Sequence, residues 1–492
     1  MMPQSIVKGG VCSLRGSSLE FRKNQLHFMN YLIGGIIRTH QNLFRTLLLS
    51  SSLLLLIFLT RWQQGAAMPD STPVVLISID GMKPDYVIEA DKHGLKIPNL
   101  RRLVREGAYA PGVRGVLPTV TYPSHTTMVT GVAPAKHGIV ANTPFDPFNK
   151  NLGGWYWYAE DIKVPTLWDV VSKAGMVTSS VNWPVTVGAN ITYNLVQYWR
   201  AATPDDQKLV RALSSHGLMT EVEQALGPFP DGSDETVEGD RRRAPFNAYL
   251  IEKKKSRFHT AYFTGLDTTQ HEHGPYSDQA LATLEQIDDL VGQVRAAAER
   301  AGGGKAVVCV VSDHGFFRTD KELNLNAAFH EAGLIQLDES HKVQSWRAYA
   351  WNSGGSAAIM LKDARDEDAR KKAREVLTQL ASDASNGVDK VLEKPEIMAL
   401  GGFPDAAWVV GMKEGYKIGG SLEGPIAKSG TPGGTHGFLP ENQAMESSFF
   451  LVGPGVQPGH NLGRIDMRDI APTLAARLGL SLPLAEGHNV IP

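Results

Sequence analysis

Six residues of the kinds that bind divalent metal ions, three aspartates and three histidines, occur in or near glycine-containing segments that follow apolar runs. They are Asp80, Asp267, His271, Asp313, His314 and His436. Taken singly, each would be interpreted as an ordinary core or surface side chain. Packed together without a counter-charge, the carboxylates would repel one another and raise one another's pKa. Two divalent cations would remove that conflict. Mixed carboxylate and imidazole ligands suit Zn²⁺ best, with Mn²⁺ as a further candidate.

A seventh residue, Thr121, offers a hydroxyl group at the start of a predicted helix. Pro123 suits the first turn because it has no N–H group to leave unpaired, and Gly131 suits the end. We expect Thr121 just before the helix N-terminus, where free N–H groups and the helix dipole favour an anion. By itself Thr121 is an ordinary N-cap residue. Beside a metal centre, its hydroxyl becomes a candidate nucleophile for attack on a phosphate group.

Three apolar, β-branched segments are expected to position most of these residues. Residues 74–79 run into Asp80, residues 261–264 lead toward Asp267, and residues 306–311 end shortly before Asp313. Short apolar runs of this kind are typical of strands buried on both faces in a parallel sheet. The carboxyl ends of such strands form one edge of the sheet, where open α/β folds bind ligands. We therefore expect these distant residues to converge there.

The clearest predicted helix lies between the second and third of these strands. Ser277 supplies an N-cap, apolar residues recur at helical spacing from Leu281 to Val294, and Gly302 begins the end of the helix. Together with its flanking strands it forms a β-α-β unit, for which a right-handed crossover is expected. Over residues 319–430 the pattern changes to strand, charged helix and strand. This change predicts a smaller inserted α+β subdomain within an otherwise α/β domain.

The first 67 residues have the character of a targeting segment. Arg38 and Arg45 precede an apolar run over residues 47–59, and small residues follow at 65–67. This is the order of a secretory signal. The run is shorter than the roughly 18 apolar residues of a membrane-spanning helix, but an uncleaved anchor formed by residues 47–59 is the alternative. We expect export to the periplasm or the extracellular space, with residues 68–492 forming the functional domain.

Composition argues against nucleic acid as a partner and against disulfide stabilisation. The chain has 492 residues, 42% of them hydrophobic, and a formal net charge of −2. It is long enough for a large core and has no overall positive field. Cys309 is the only cysteine beyond the predicted leader, and we expect it in the core because it lies inside an apolar run. A small-molecule substrate is the expectation.

Five motifs, in matching order, resemble those of the nucleotide pyrophosphatase/phosphodiesterase family of the alkaline phosphatase superfamily. The motifs are Ser78-Ile79-Asp80-Gly81, residues 118–125, Asp267 to His271 followed by Gly274-Pro275, Ser312-Asp313-His314-Gly315, and Gly434-Thr435-His436-Gly437. The similarity extends from about residue 74 to the C-terminus. It implies an alkaline-phosphatase-like α/β/α sandwich with a mainly parallel central sheet, and a site that holds two zinc ions.

The resemblance divides the six metal-ligand candidates into two sets of three. One metal ion would be held by Asp267, His271 and His436. The other would be held by Asp80, Asp313 and His314. By the same resemblance, the second ion also binds the oxygen of Thr121, which acts as the nucleophile.

The resemblance also implies roles for two further residues near Thr121. Asn142 matches an asparagine that donates a hydrogen bond to a phosphate oxygen. Tyr122 matches the aromatic residue that helps to form a nucleobase slot. Two positions depart from the family pattern, which usually has asparagine at Ser124 and glycine at Gln270. These departures bear on the substrate more than on the reaction type.

The implied reaction is hydrolysis of a phosphodiester or phosphoanhydride bond through a covalent phospho-threonine intermediate. A sulfatase is disfavoured because Thr121 cannot be oxidised to the aldehyde that sulfatases use. A phosphomonoesterase would need additional cations near Asn142, and the sequence shows none. A phosphonoacetate-type C–P hydrolase has a very similar metal set and stays open. A dead hydrolase fold used for binding is opposed by the presence of Thr121 and all six ligand candidates.

Overall fold

A computed structural model of the protein describes residues 71–198, 200, 204–230 and 233–491. The predicted targeting segment, with its apolar run at residues 47–59, lies outside the described residues. From Thr72 onward the chain forms one compact unit. Among the described helices, none combines the length and the apolar character that crossing a bilayer requires.

The elements comprise short strands and a set of helices that range from a single turn to 24 residues. The strands, in chain order, are β1 (Val74–Ile79), β2 (Ala108–Arg114), β3 (Thr178–Val181), β4 (Tyr193–Leu195), β5 (Phe258–Phe263), β6 (Val307–Val311), β7 (Phe317–Leu323), β8 (Ile335–Leu337), β9 (Val343–Trp346), β10 (Ala348–Asn352), β11 (Ser356–Leu361), β12 (Val388–Leu392), β13 (Trp408–Met412), β14 (Gly415–Ile418), β15 (Ala427–Thr435), β16 (Ser447–Val452), β17 (His460–Asn461) and β18 (Ile465–Asp466). The α-helices are α1 (Pro84–Ile88), α2 (Pro98–Glu106), α3 (Thr121–Thr130), α4 (Pro134–His137), α5 (Leu167–Lys173), α6 (Pro204–Leu213), α7 (Leu218–Leu226), α8 (Val237–Lys253), α9 (Gly265–His273), α10 (Asp278–Ala301), α11 (Leu325–Glu331), α12 (Glu367–Ser382), α13 (Lys394–Leu400) and α14 (Ile470–Arg477).

Within the described residues, the central sheet contains nine strands in the order β17-β2-β16-β6-β1-β5-β3-β4, with β18 beside β2. Strand β1 pairs in parallel with both β5 and β6, and β3 pairs in parallel with β5 and β4. Strand β16 runs antiparallel to β2 and β6. The sheet is therefore mainly parallel, as the sequence predicts, and β1 lies between the two strands that precede Asp267 and Asp313. His436 instead follows β15.

Hydrophobic cores on both faces of the central sheet explain its continuous apolar strands. Alternate residues of β1 enter different cores: Val74 and Leu76 enter one, and Val75 and Ile77 enter the other. Helix α14 contributes to the first core, and helices α2 and α10 contribute to the second. Since helices cover both faces, the fold is an α/β/α sandwich, which confirms the predicted fold class. Cys309, which lies in β6, is fully buried in the first core, as expected.

The helix predicted after Ser277 is confirmed as α10, and its N-cap is the predicted one. The Ser277 side chain accepts a hydrogen bond from the N–H group of Ala280 at 3.2 Å. The helix returns the chain from β5 and α9 to β6 and packs against the sheet through residues such as Leu284 and Val291, which have no exposed area. This β-α-β connection places the ends of β5 and β6 at the same edge of the sheet as the end of β1.

The segment that the sequence assigns to an inserted subdomain, residues 319–430, is built from smaller sheets. Strands β10, β11, β13 and β12 form one sheet, β14, β7 and β15 form a second, and β8 and β9 form a third. They share a hydrophobic core that includes Phe329, Ile359 and Trp408. This part nevertheless lies in the same compact unit as the central sheet. Its status as a separate subdomain stays a prediction.

Candidate metal centre and active site

The carboxyl ends of three adjacent strands bring the ligand candidates together. Asp80 follows β1 directly, and Asp313 lies two residues after β6. Helix α9, which carries Asp267, begins two residues after β5. Gly81 completes the turn after β1 with φ of +68°, a conformation that glycine adopts without steric cost. A Cβ atom at Gly81 would lie 2.7 Å from the ring of Phe316, so the turn is also too crowded for a side chain.

One cluster consists of Asp80, Asp313 and His314, all fully buried or nearly so. The His314 Nε2 atom lies 3.2 Å from Asp80 Oδ1 and 3.3 Å from Asp313 Oδ2. One ligand atom from each residue lies within 4.8 Å of the others, close enough to share a metal ion. The structure thus brings together the whole of this predicted set.

The second cluster differs from the predicted set in one member. Asp267 and His436 meet, with His436 Nε2 3.8 Å from Asp267 Oδ1, but the third residue within 4.8 Å is His314. His314 lies between the two clusters, and its ring stacks on that of His436 at 3.7 Å. His271 stands at the side of this group, with Nε2 3.4 Å from Asp267 Oδ2 and its side chain 40% exposed. The member of the predicted set that lies outside this cluster is therefore His271.

Backbone carbonyl groups hold all three imidazoles in one tautomer. Each Nδ1 atom faces a carbonyl oxygen, which can only accept a hydrogen bond, so Nδ1 carries the proton. The pairs are His271 with Gly434 at 3.0 Å, His314 with Gly315 at 3.2 Å, and His436 with Thr119 at 3.3 Å. The unprotonated Nε2 atoms are left to face the carboxylates. Metal-binding histidines are commonly oriented in this way.

The carboxylates carry buried oxygen atoms that no protein donor satisfies. These are Asp80 Oδ1, Asp267 Oδ1 and Asp313 Oδ2. Unpaired buried carboxylate oxygens are costly unless a cation compensates them. Burial raises the pKa of Asp80 well above its usual value, and the nearby Asp267 and Asp313 raise it further. Burial also raises the pKa of Asp313, to about 6. The donor set and its orphaned oxygens fit a pair of divalent cations.

Thr121 is the first residue of α3, one position later than predicted. The N-cap is Val120, and no side chain caps this helix. The capping role that Thr121 could have had is therefore absent, and its Oγ1 atom instead lies 3.5 Å from His314 Nε2. Thr121 is 6% exposed at the N-terminal end of α3. The hydroxyl is therefore next to a member of both candidate metal-ligand clusters.

Asn142 and Tyr122 adjoin Thr121, but they are positioned differently. The N–H group of Tyr122 donates to Asn142 Oδ1 at 2.9 Å. This bond fixes the amide so that its NH₂ group is available to a ligand. The Tyr122 ring is fully buried, its hydroxyl donates to Gln197 Oε1, and the Trp155 ring lies 5.1 Å away. The predicted stacking of Tyr122 on a nucleobase would require Trp155 to move, so that role stays a prediction.

Three residues that sequence analysis did not assign to the site support it directly. The Tyr262 hydroxyl donates to Asp80 Oδ2. His125 Nδ1 donates to the carbonyl oxygen of Thr121 at 2.8 Å, and its ring packs against Tyr262. The Phe316 ring lies 5.0 to 5.8 Å from the rings of the three ligand histidines. The positions of Tyr262 and Phe316 depend on packing between distant segments, for which the sequence carries no spacing signal. His125 lies four residues after Thr121 in α3, and this helical spacing is a signal that could have indicated its contact.

Gln270 links the helix of one cluster to the strand end of the other. Its Nε2 group donates to the Gly81 carbonyl oxygen at 3.0 Å, and its Oε1 atom accepts from the Tyr86 hydroxyl at 2.9 Å. Gly81 in turn donates its N–H group to Asp313 Oδ1 at 3.0 Å. The side chain is fully buried. Gln270, where the family usually has glycine, thus fixes the turn that carries Asp80.

Replacing Gln270 with alanine is expected to weaken zinc binding about 10- to 100-fold, the usual effect of removing a residue that orients metal ligands. The change removes the partner of the Gly81 carbonyl and of the Tyr86 O–H group, and an unpaired buried group costs about 1–3 kcal/mol. The Tyr86 oxygen keeps the hydrogen bond that it accepts from the N–H group of Tyr276. Competition with a chelating dye measures the affinity, and circular dichroism checks folding. Gln379→Ala, at an exposed position of α12, is the control. Unchanged zinc affinity in a folded Gln270→Ala protein would show that this link has no effect on the site.

Zinc is expected to raise the melting temperature more at about pH 7.5 than at about pH 5. The folded-state pKa of Asp313, about 6, lies above its unfolded value. In the metal-free protein, the stability contributed by this carboxyl is therefore complete below the unfolded pKa and is lost as pH rises through about 6. Zinc must displace those protons at low pH but meets a charged carboxylate at high pH. Burial lowers the pKa values of His314 and His436, so these imidazoles stay neutral and do not compete.

Thermal unfolding with and without zinc at several pH values measures this effect. Asp313→Asn is the matched variant because it keeps the shape but removes the titrating group. In this variant, the rise in melting temperature caused by zinc should change less with pH than it does in the unaltered protein. An equal zinc stabilisation across the range in the unaltered protein would contradict the expected coupling.

Comparison with known proteins places these features in a family. The family model described as type I phosphodiesterase / nucleotide pyrophosphatase matches residues 74–439, which include all seven site residues. Ectonucleotide pyrophosphatase/phosphodiesterase family member 3 of Rattus norvegicus is 24% identical over 414 residues, covering 78% of this chain and 39% of the relative. Family member 7 of Homo sapiens is 24% identical over 427 residues, covering 84% of this chain and 81% of the relative.

A solved structure shows the same fold. It is that of murine ectonucleotide pyrophosphatase/phosphodiesterase 5, in an inactive variant in complex with AMP. The TM-score is 0.60 at 20% identity, with 85% of this chain and 98% of that chain covered. This chain spans about 40% of the length of the first two curated relatives, the rat protein and a venom phosphodiesterase of Naja atra. Since the family model covers most of the chain, the protein belongs to the type I phosphodiesterase / nucleotide pyrophosphatase family.

Proposed function

We propose that this protein is a two-metal phosphodiesterase that hydrolyses small phosphodiesters or phosphoanhydrides through a phospho-threonine intermediate. The observation that carries the proposal is the Thr121 hydroxyl, 3.5 Å from His314 Nε2, at a site with three carboxylates that each carry a buried oxygen without a hydrogen-bond partner. Family membership supports the reaction class. The proposal includes export of the domain, which agrees with the names of relatives that are ectoenzymes or venom proteins.

The six ligand residues would hold the cations in two sets, as the resemblance implies. They are Asp80, Asp313 and His314 for one ion and Asp267, His271 and His436 for the other. When bound, the cations, which we propose to be Zn²⁺, would supply Lewis-acid polarisation of oxygen and a lowered pKa of a bound hydroxyl. The lone pairs that the structure leaves free, on carboxylate oxygens and imidazole Nε2 atoms, are the groups this role needs.

The chain's own groups account for attack and for charge stabilisation. Thr121 Oγ1 loses its proton and forms a bond to phosphorus. The bond from phosphorus to the oxygen of the leaving alcohol breaks, and that alcohol oxygen takes up a proton as it leaves. The Asn142 NH₂ group, oriented by its bond from the Tyr122 N–H, donates to a phosphate oxygen. The N-terminus of α3 adds a favourable dipole at the same place. Water then cleaves the phospho-threonine, releases a monoester and restores the Thr121 hydroxyl.

A phosphodiester rather than a monoester is the favoured substrate. A monoester carries a second negative charge, and the contacts of Thr121 and Asn142 within the described residues include no lysine or arginine to balance it. The remaining charges close to Thr121 are the carboxylates of the ligand clusters. A nucleotide is a natural candidate for the diester, because the solved murine relative holds AMP.

A substrate panel with zinc, with and without a chelator, tests the proposal. Bis(4-nitrophenyl) phosphate is expected to be hydrolysed at least about a hundredfold faster than 4-nitrophenyl phosphate or phosphonoacetate, because the site balances one phosphate charge. Preferred turnover of the monoester would indicate a phosphomonoesterase, and preferred turnover of phosphonoacetate a C–P hydrolase. Fewer than one bound metal ion per chain, with no turnover of any substrate, would indicate a binding protein on a dead hydrolase fold.

A further inference from the structure

A cavity of about 230 Å³ lies between the loop of residues 143–154 and strand β10, and its lining begins at the residue after Asn142. The loop begins directly after Asn142, the proposed phosphate donor. On the other side, β10 ends at Asn352, and three residues later the N–H group of Gly355 donates to the His436 carbonyl oxygen at 2.7 Å. Both walls of the cavity are thus connected, along the chain or by one backbone hydrogen bond, to residues of the site. Its volume is somewhat below that of most small-molecule pockets, about 300–1,000 Å³.

The cavity is lined by aromatic rings, side-chain amides and one carboxylate. The residues that matter here are Phe145, Asp146, Asn149, Asn151, Tyr349 and Trp351. Among the described residues, no lysine or arginine lines it. Two cationic side chains near the loop, those of Arg200 and Lys150, make contacts of their own. Arg200 donates to the backbone oxygen of Asn151 at 3.4 Å and lies over the Trp157 ring, and Lys150 lies over the Phe148 ring.

This lining disfavours an anionic group. A phosphate or carboxylate would enter beside Asp146 with no cation to balance it, at a cost in desolvation and repulsion. A neutral polyol meets no such cost. The side chains of Asn149 and Asn151 offer both donors and acceptors, which match hydroxyl groups. Aromatic rings pack well against the C–H surfaces of a polyol.

The packing of the rings also separates a polyol from a cation. A cation cage presents ring faces around one point. Here the Phe145 ring meets Trp346 edge-to-face at 5.4 Å and Tyr349 at 5.9 Å. The same ring is tilted against Trp351 at 5.4 Å. Because the rings use their faces and edges on one another, they form a wall rather than a cage.

We propose that this cavity binds the alcohol leaving group of the diester and selects an uncharged polyhydroxyl group, such as glycerol or a sugar, over a charged one. This inference rests on the proposed phosphodiesterase function. It assigns specificity to the loop of residues 143–154 and to β10, none of whose residues belong to the metal clusters. The side chains of Asn149 and Asn151 then act as specificity-determining groups.

Competition with bis(4-nitrophenyl) phosphate in the presence of zinc tests the proposal. The competitors are three methyl phosphate diesters of similar size, which carry glycerol, choline or glycolate as the second alcohol. The glycerol diester is expected to bind at least about tenfold more tightly than the anionic glycolate diester. Asn151→Lys, at an exposed position, adds a cation to the cavity and should shrink that ratio at least about fivefold. Gln379→Lys adds the same charge on exposed α12, away from the cavity, and should leave the ratio and basal turnover unchanged.

The outcomes separate the two proposals. Failure to hydrolyse bis(4-nitrophenyl) phosphate would remove the phosphodiesterase function and this inference with it. With that activity present, equal binding of the glycerol and glycolate diesters, or no measurable binding of either, would overturn the inference alone. Tighter binding of the choline diester than of the glycerol diester would assign the cavity to cations instead. An unchanged ratio in a folded Asn151→Lys protein would also overturn it.

Discussion

Replacing Thr121 with alanine is expected to lower kcat for diester hydrolysis by about 10⁴-fold or more, because removal of a covalent nucleophile has effects of this order. The side chain makes no capping bond to α3, and its recorded contact is with His314 at 3.5 Å. The protein should therefore stay folded and continue to bind zinc. Steady-state kinetics with bis(4-nitrophenyl) phosphate, together with zinc analysis and circular dichroism, measure the change.

Thr121→Ser is the matched control because it keeps the hydroxyl and removes one methyl group. It should retain measurable turnover and form a phosphorylated protein that mass spectrometry of an acid-quenched reaction detects. Thr121→Ala should give no such adduct. If Thr121→Ala has turnover close to that of the unaltered protein, the nucleophile is another group, whether or not the metal ions are bound.

Removal of divalent cations is expected to lower diester turnover by at least about a thousandfold, matching the several kcal/mol that Lewis-acid stabilisation contributes. The physical reason is the cluster of buried carboxylates, whose pKa values burial and mutual repulsion raise. Without cations they bind protons or repel one another, and no group remains to lower the pKa of Thr121. Dialysis against a chelator, followed by titration with zinc, measures the loss and the recovery.

Two equivalents of zinc per chain should be needed for full recovery, because the ligand atoms form two overlapping clusters that share His314. His436→Ala removes a ligand from one cluster only and should leave close to one tightly bound ion. His216→Ala provides a control, since that histidine is on the connection between α6 and α7 and outside both clusters. Full activity in protein that holds less than about a tenth of an ion per chain would contradict the two-metal mechanism.

The sequence by itself determined the parallel strands at the centre of the sheet and the set of ligand candidates. Apolar strands that end in Asp80 and Asp313 carry local signals, because burial on both faces requires continuous hydrophobic residues and the following glycine permits a sharp turn. The N-cap at Ser277 and the apolar residues at helical spacing in α10 are also local signals in the sequence. Parallel pairing then forces the strand ends to one edge. For these reasons the set of ligand candidates could be predicted from spacing and residue type.

Tertiary structure decided how these groups meet. It placed His314 between both clusters and moved His271 to the side, since ring positions depend on packing across elements far apart in the chain. It buried Tyr122 beneath Trp155 and gave Gln270 its link to Gly81. Apart from the contact of His271 with Asp267, four residues apart in α9, these contacts join segments far apart in the chain, so no periodicity in the sequence encodes them. Side-chain contacts between distant segments are fixed only when the whole core packs.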